Sequence, residues 1–247
     1  MSEGTGRSVL WWLCLFFSPL VLLVIELFHP AGFTTDPGMF AYLSQPESYS
    51  PQHGALAYFG PGWWFTLHMI QTVLMGLVAV GLWLLVDSFG PSDRRPAGIL
   101  AWLSRVAAFV FLIYYTALDS IGGSGLGRTI EHTLELAREG NWTPADIQKV
   151  AAVLDATWID PWVGGVGSFI SETGSWAVFI AALAAAGALL AAKKAPWPPL
   201  VLLVAFGWEL QVSHAAPHGP IAFALLLIAA FWLWRVWRRP AGRMLET

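Results

Sequence analysis

Between Gly62 and Val86 the chain reads GWWFTLHMIQTVLMGLVAVGLWLLV, an apolar run of 25 residues whose one titratable side chain is His68. As a helix rising about 1.5 Å per residue it crosses the roughly 30 Å hydrocarbon core of a bilayer. Inside that core the backbone must satisfy its own hydrogen bonds, so the segment reads as a transmembrane helix. His68, Gln71, Thr72 and Met75 follow at i, i+3, i+4 and i+7, a mildly polar stripe on a lipid-like surface. An ionisable residue at such depth needs a partner, either a ligand or a neighbouring helix.

The rest of the sequence is of the same kind. Of its 247 residues 56% are hydrophobic and 12% charged, where soluble domains carry about a quarter charged residues. The net charge of −3 comes with no basic patch interleaved with stacking aromatics, so nucleic acid is excluded as a partner. The single cysteine, Cys14, rules out an intramolecular disulfide and a cysteine-rich metal site.

Six apolar segments, at about 9–28, 62–87, 99–120, 164–192, 197–214 and 221–237, predict an all-α bundle of six transmembrane helices in a single domain. The first reads as a span rather than a cleaved signal, because it closes on Glu26 and His29 with no small-residue cleavage site. Ser18-Pro19 predicts a kink in it. Outer loops at 30–61 and 121–162 form a small cap. Asp36-Pro37 starts one short helix through Leu43. Thr143-Pro144-Ala145-Asp146 starts another, with Ile147, Val150, Ala151, Leu154 and Trp158 at helical spacing for the bundle top or the membrane surface.

With the N-terminus inside, the inner segments hold Arg7, Arg94, Arg95, Arg105, Lys193, Lys194, Arg235, Arg238, Arg239 and Arg243, ten of the 13 Lys and Arg. Arg128, Arg138 and Lys149 are left outside. The positive-inside rule then places both termini in the cytoplasm and the cap on the extracytoplasmic face of a plasma membrane. Arg105 is expected at the inner interface, where lysine would serve as well.

On this topology all six histidines fall in the outer half, with His53 and His132 in loops. Glu26 and His29 close helix one as an E-x-x-H pair, which puts both side chains on one face. Asp119 ends helix three, Glu172 lies early in helix four, and Glu209 and His214 lie late in helix five. His214-x-x-x-His218 has the spacing of paired ligands on a helix, though Pro217 suggests that it straddles a helix end. An unpaired carboxylate in apolar sequence costs at least about 2.5 kcal/mol, so each one is protonated, paired with histidine, or bound to a cation.

His29, His68, His214 and His218 as ligands, with Glu26, Asp119, Glu172 and Glu209 as catalytic or supporting carboxylates, form a set suited to a transition metal, zinc or iron first and copper next. Haem fits less naturally, since acidic neighbours would repel its propionates. Gly123-Ser124-Gly125-Leu126-Gly127 follows a helix rather than a strand, so it reads as close packing or a hinge and not as a dinucleotide loop.

A histidine on an early helix, an aspartate on the next and a late H-x-x-x-H loosely resemble the zinc hydrolases of the alkaline ceramidase and adiponectin-receptor superfamily. The matching positions would be His68, Asp119, His214 and His218, and the likeness implies zinc-assisted hydrolysis. It covers those four residues and no continuous motif. The superfamily has seven helices, and a serine where this chain has Trp64.

The expectation is a membrane enzyme working on a lipid-like or amphipathic small molecule by metal-assisted hydrolysis or redox chemistry. A proton- or ion-coupled transporter using the same relay is the first alternative. A bis-histidine haem subunit, or a structural subunit with a membrane-protein partner or a second copy of itself, is the next.

Overall fold

The computed structural model describes residues 3–30, 38–49, 56–90, 93 and 95–238. Asp36, Pro37, His53 and Arg94 lie outside the described residues. The first segment is α1 (Glu3–Trp12), a π-helical turn π1 (Leu13–Phe17) and α2 (Ser18–Glu26). Pro19 has no N–H to give the preceding turn, and the chain answers by widening it. The Ser18 N–H and hydroxyl both donate to the Leu13 carbonyl, the hydroxyl at 2.8 Å.

Next come α3 (Met39–Leu43), a hairpin of strands β1 (Ser48–Tyr49) and β2 (Tyr58–Phe59), and α4 (Pro61–Leu85). The strands pair antiparallel, Ser48 opposite Phe59 and Tyr49 opposite Tyr58. α5 (Arg95–Leu118) passes through a second π-helical stretch, π2 (Asp119–Gly125), into α6 (Leu126–Arg138). The glycine-rich sequence predicted to be a loop is therefore helical, and Pro96–Arg138 is one apolar helix of 43 residues. α7 (Pro144–Trp158), α8 (Phe169–Ala191), α9 (Trp197–Val212) and α10 (His218–Trp237) complete the chain.

Five helices are long and apolar enough to cross a membrane, as in a multi-pass integral membrane protein; α9, with 16 residues, is shorter. Contacts run α2 to α4, α4 to α5, α5 to α8, α8 to α9, α9 to α10 and α10 back to α2, a closed ring. The α5–α8 seam is tight because α8 presents Ala177, Ala181, Ala184 and Ala188, and Ser104 donates to the Ala181 carbonyl at 2.9 Å. Arg105 differs from a free interfacial cation. Its Nη2 donates to the Val86 and Phe89 carbonyls, at 2.7 and 2.9 Å, and closes the C-terminal end of α4.

A second, smaller core forms the cap, where Met39, Phe40, Tyr42, Leu43, Phe59, Trp64, Leu126 and Ile130 are buried together. Ile147, Val150, Ala151, Leu154 and Trp158 of α7 pack on it, the face expected from their spacing. Thr143 and Asp146 form the expected reciprocal cap. The Phe40 N–H, at the start of α3, donates to Asp155 of α7 at 2.9 Å, tying two cap helices together.

Candidate metal centre

The α4 stripe faces inward: His68, Gln71 and Met75 are buried, and Thr72 is partly so. His68 Nδ1 lies 2.8 Å from the Trp64 carbonyl, one turn earlier. A carbonyl only accepts, so Nδ1 carries the proton and Nε2 keeps the lone pair. His29, just past the end of α2, repeats the arrangement with its Nδ1 2.6 Å from the Pro30 carbonyl. Metal-binding imidazoles are held in this way, one nitrogen fixed by a backbone acceptor and the other presented.

His214 comes from the link between α9 and α10. α9 ends at Val212 and α10 begins at His218, so Pro217 does separate the two histidines of the late pair. The His214 ring sits 4.8 Å from that of His29 and 6.4 Å from that of His68, and the His29 and His68 rings are 5.3 Å apart. One ligand atom from each of the three lies within 4.8 Å of the others, which is compatible with a metal site.

Carboxylates adjoin the rings. Asp119, at the start of π2, is buried with its Oδ2 3.4 Å from Thr72 Oγ1, whose one proton goes to the nearer His68 carbonyl at 2.7 Å. Glu26 is fully buried one turn before His29. Tyr115 of α5 stands 5.8 Å from His214, ring to ring, and accepts a 2.9 Å hydrogen bond from Gln71 Nε2. Both oxygens of Glu26, Oδ1 of Asp119 and Oε1 of Gln71 are buried with no hydrogen-bond partner among the described residues. Buried acceptors left in this condition are costly, by about 1–3 kcal/mol each and more when charged.

π2 explains the glycines. A Cβ at Gly123 would overlap the His68 ring, and one at Gly127 would lie 2.8 Å from the Phe65 nitrogen in the first turns of α4. Close packing, one of the two roles expected of that run, is what it performs. Trp64 Nε1 donates to the Gly122 carbonyl at 3.1 Å, so α4 and π2 are tied at the depth of His68. A cavity of about 20 Å³, lined by Trp64, His68, Leu118, Asp119, Trp158 and His214 among others, lies beside the rings. Above it the chain turns at Asp160, whose carboxyl accepts from the Val163 and Trp162 N–H groups and is held below its usual range by those bonds.

Not every expected residue joins. His218 Nδ1 is 2.7 Å from Glu209 Oε2, so these two pair with each other, and the three-histidine group does not include His218. Glu172 is exposed at the first turn of α8. His132 pairs with Glu135 at 3.1 Å on the surface of α6. Of the four positions in the zinc-hydrolase likeness, His68, Asp119 and His214 line the same cavity and His218 does not. Tyr115 and the Gln71–Tyr115 bond were not anticipated; a tyrosine among aromatics on an apolar helix carries no signal of its own.

Comparisons with protein-family models, curated proteins and solved structures find no match to this chain.

Proposed function

We propose that the protein is an integral membrane enzyme that binds one transition-metal ion on His29, His68 and His214 and acts on a lipid-like or amphipathic substrate. The observation that carries this reading is the convergence of three imidazoles, two with Nδ1 held by backbone carbonyls, beside buried carboxylate oxygens of Glu26 and Asp119 that have no hydrogen-bond partner among the described residues. A tetrahedral ion with bonds of about 2.0–2.1 Å sets its nitrogens roughly 3.3 Å apart, a modest closure from the present spacing. With three neutral imidazoles as its ligands, a zinc-like ion would supply a water of lowered pKa for hydrolysis, and iron or copper would supply redox chemistry. Asp119, beside Thr72, would serve as proton acceptor or orienter, with Glu26 as its companion.

In this reading all six ring helices span the membrane, α9 with help from its flanks, both termini are cytoplasmic, and the centre faces the extracytoplasmic side. The distribution of Lys and Arg supports the orientation. A cavity of about 20 Å³ speaks against haem, which needs a slot for a porphyrin. A transmembrane proton path would also need polar groups in the inner half, where Ser18 and Ser104 are the buried ones among the described residues and both are bonded to carbonyls.

The test is elemental analysis of the detergent-purified protein beside two variants. Near-stoichiometric metal is expected in the wild type and in His218→Ala, and loss in His68→Ala. No metal in any preparation, or loss on replacing His218 but not His68, would end the proposal.

A further inference from the structure

Beside the three-histidine centre a second pocket of about 200 Å³ lies between the cap ends of α5, α8 and α9. It shares Leu118, Val166 and His214 with the small cavity, so His214 forms part of the wall between them. His29 and His68 are buried, whereas His214 is only partly so. The polar lining of the pocket is Ser171, Glu172, Ser175, Gln211 and Ser213 with His214; among the described residues Glu172 is its one carboxylate, and no lysine or arginine lines it.

The start of α8 offers that charge a favourable dipole, yet it has no free donor for an anionic ligand. The N–H groups of Phe169, Ile170, Ser171 and Glu172 already donate to the Pro161 and Trp162 carbonyls, the Ser168 hydroxyl and the Ser168 carbonyl. Behind His214 stand Glu26 and Asp119, again with no arginine or lysine beside them among the described residues. On the outer surface of α8 and α9, Trp176, Phe179 and Trp208 form an edge-on row with ring spacings of 6.0 and 5.8 Å, the two tryptophans exposed.

We infer that this pocket is the mouth of the metal centre and that it receives an amphiphile with an amine-bearing, cationic head group, its apolar chain lying on the Trp176–Trp208 row. The inference rests on the proposed enzyme for its purpose and on the pocket's own lining for its chemistry. A phosphate, sulfate or carboxylate head would meet the charge of Glu172 with no lysine or arginine in the lining to offset it, whereas an ammonium group has Glu172 as counter-charge and serine and glutamine oxygens as acceptors.

The experiment uses the purified full-length protein in dodecyl maltoside. Buried Cys14 is the chain's only cysteine, so Ser175→Cys supplies one reactive thiol inside the pocket. Dodecylamine is expected to slow its labelling by a maleimide about fivefold more than dodecyl phosphate does, the preference one partly exposed charge pair provides. Glu172→Gln should erase the difference, and a thiol at Ile228→Cys, exposed on α10, should show none. Equal protection by both amphiphiles, protection by neither, or a preference that survives Glu172→Gln overturns the inference. Ser213→Cys reads the same pocket should Ser175→Cys not fold. Metal content measured on the same sample separates the two proposals: bound metal without protection defeats the mouth alone, and protection without metal defeats the enzyme and leaves the head-group site.

Discussion

Gly123 lies so close to His68 that a methyl group on its Cα would occupy the space of the imidazole ring. The absent side chain of one residue therefore fixes the position of another's. Gly123→Ala must push His68 off its bond to the Trp64 carbonyl. Metal affinity should fall by about 10–100-fold, as when the support of a ligand is lost. Gly90→Ala, where a Cβ meets nothing within 4 Å, should bind metal as the wild type does. Equilibrium dialysis against a metal buffer checks both.

Tyr115→Phe removes the acceptor for Gln71 Nε2 and leaves that amide buried. A loss of about 1–3 kcal/mol is expected. It should appear as a lower midpoint of thermal unfolding in detergent. Gln71→Leu with Tyr115→Phe should recover part of it, since removing both partners leaves no orphan.

Arg105→Lys should leave metal content unchanged and still lower stability. One ammonium cannot reproduce both bonds to the Val86 and Phe89 carbonyls in the same fork. Unchanged stability across a thermal melt would mean that α4 closes its end without them.

The cap of α7 should loosen in acid. Hydrogen bonds from the Thr143 hydroxyl and N–H, with Lys149 beside them, hold the Asp146 carboxyl down to about 2 from its ordinary 3.8. A carboxyl lowered on folding contributes its full share above about pH 4 and loses it as the pH falls through about 2. Hydrogen exchange of α7 amides should be about fivefold faster in Thr143→Ala at neutral pH, the usual effect of losing a cap. That ratio should shrink toward the acid end of the window, where the bonds to the Asp146 carboxylate weaken and the Asp146 N–H to Thr143 hydroxyl bond remains.

The sequence disclosed the face of α4 that carries His68 and the apolar face of α7, because each depends on spacing within one segment. It did not disclose that π2 is helical. Glycine is a poor helix former, and here contacts with α4 that no side chain could tolerate override that preference. Nor did it separate His214 from His218. Both stood at ligand spacing, and only the turn between α9 and α10 sends one ring to the centre and the other to Glu209. Tyr115 enters through a neighbour's hydrogen bond, which a one-dimensional pattern does not contain.

The unbroken run from Pro96 to Arg138 links the cap to the bundle without a joint. No loop lets the two parts choose their positions independently, so the seat of α6 in the cap and the depth of Asp119 are set by one continuous backbone. One residue inserted between them would turn α6 by about 100° against the bundle and carry its apolar face away from the cap core.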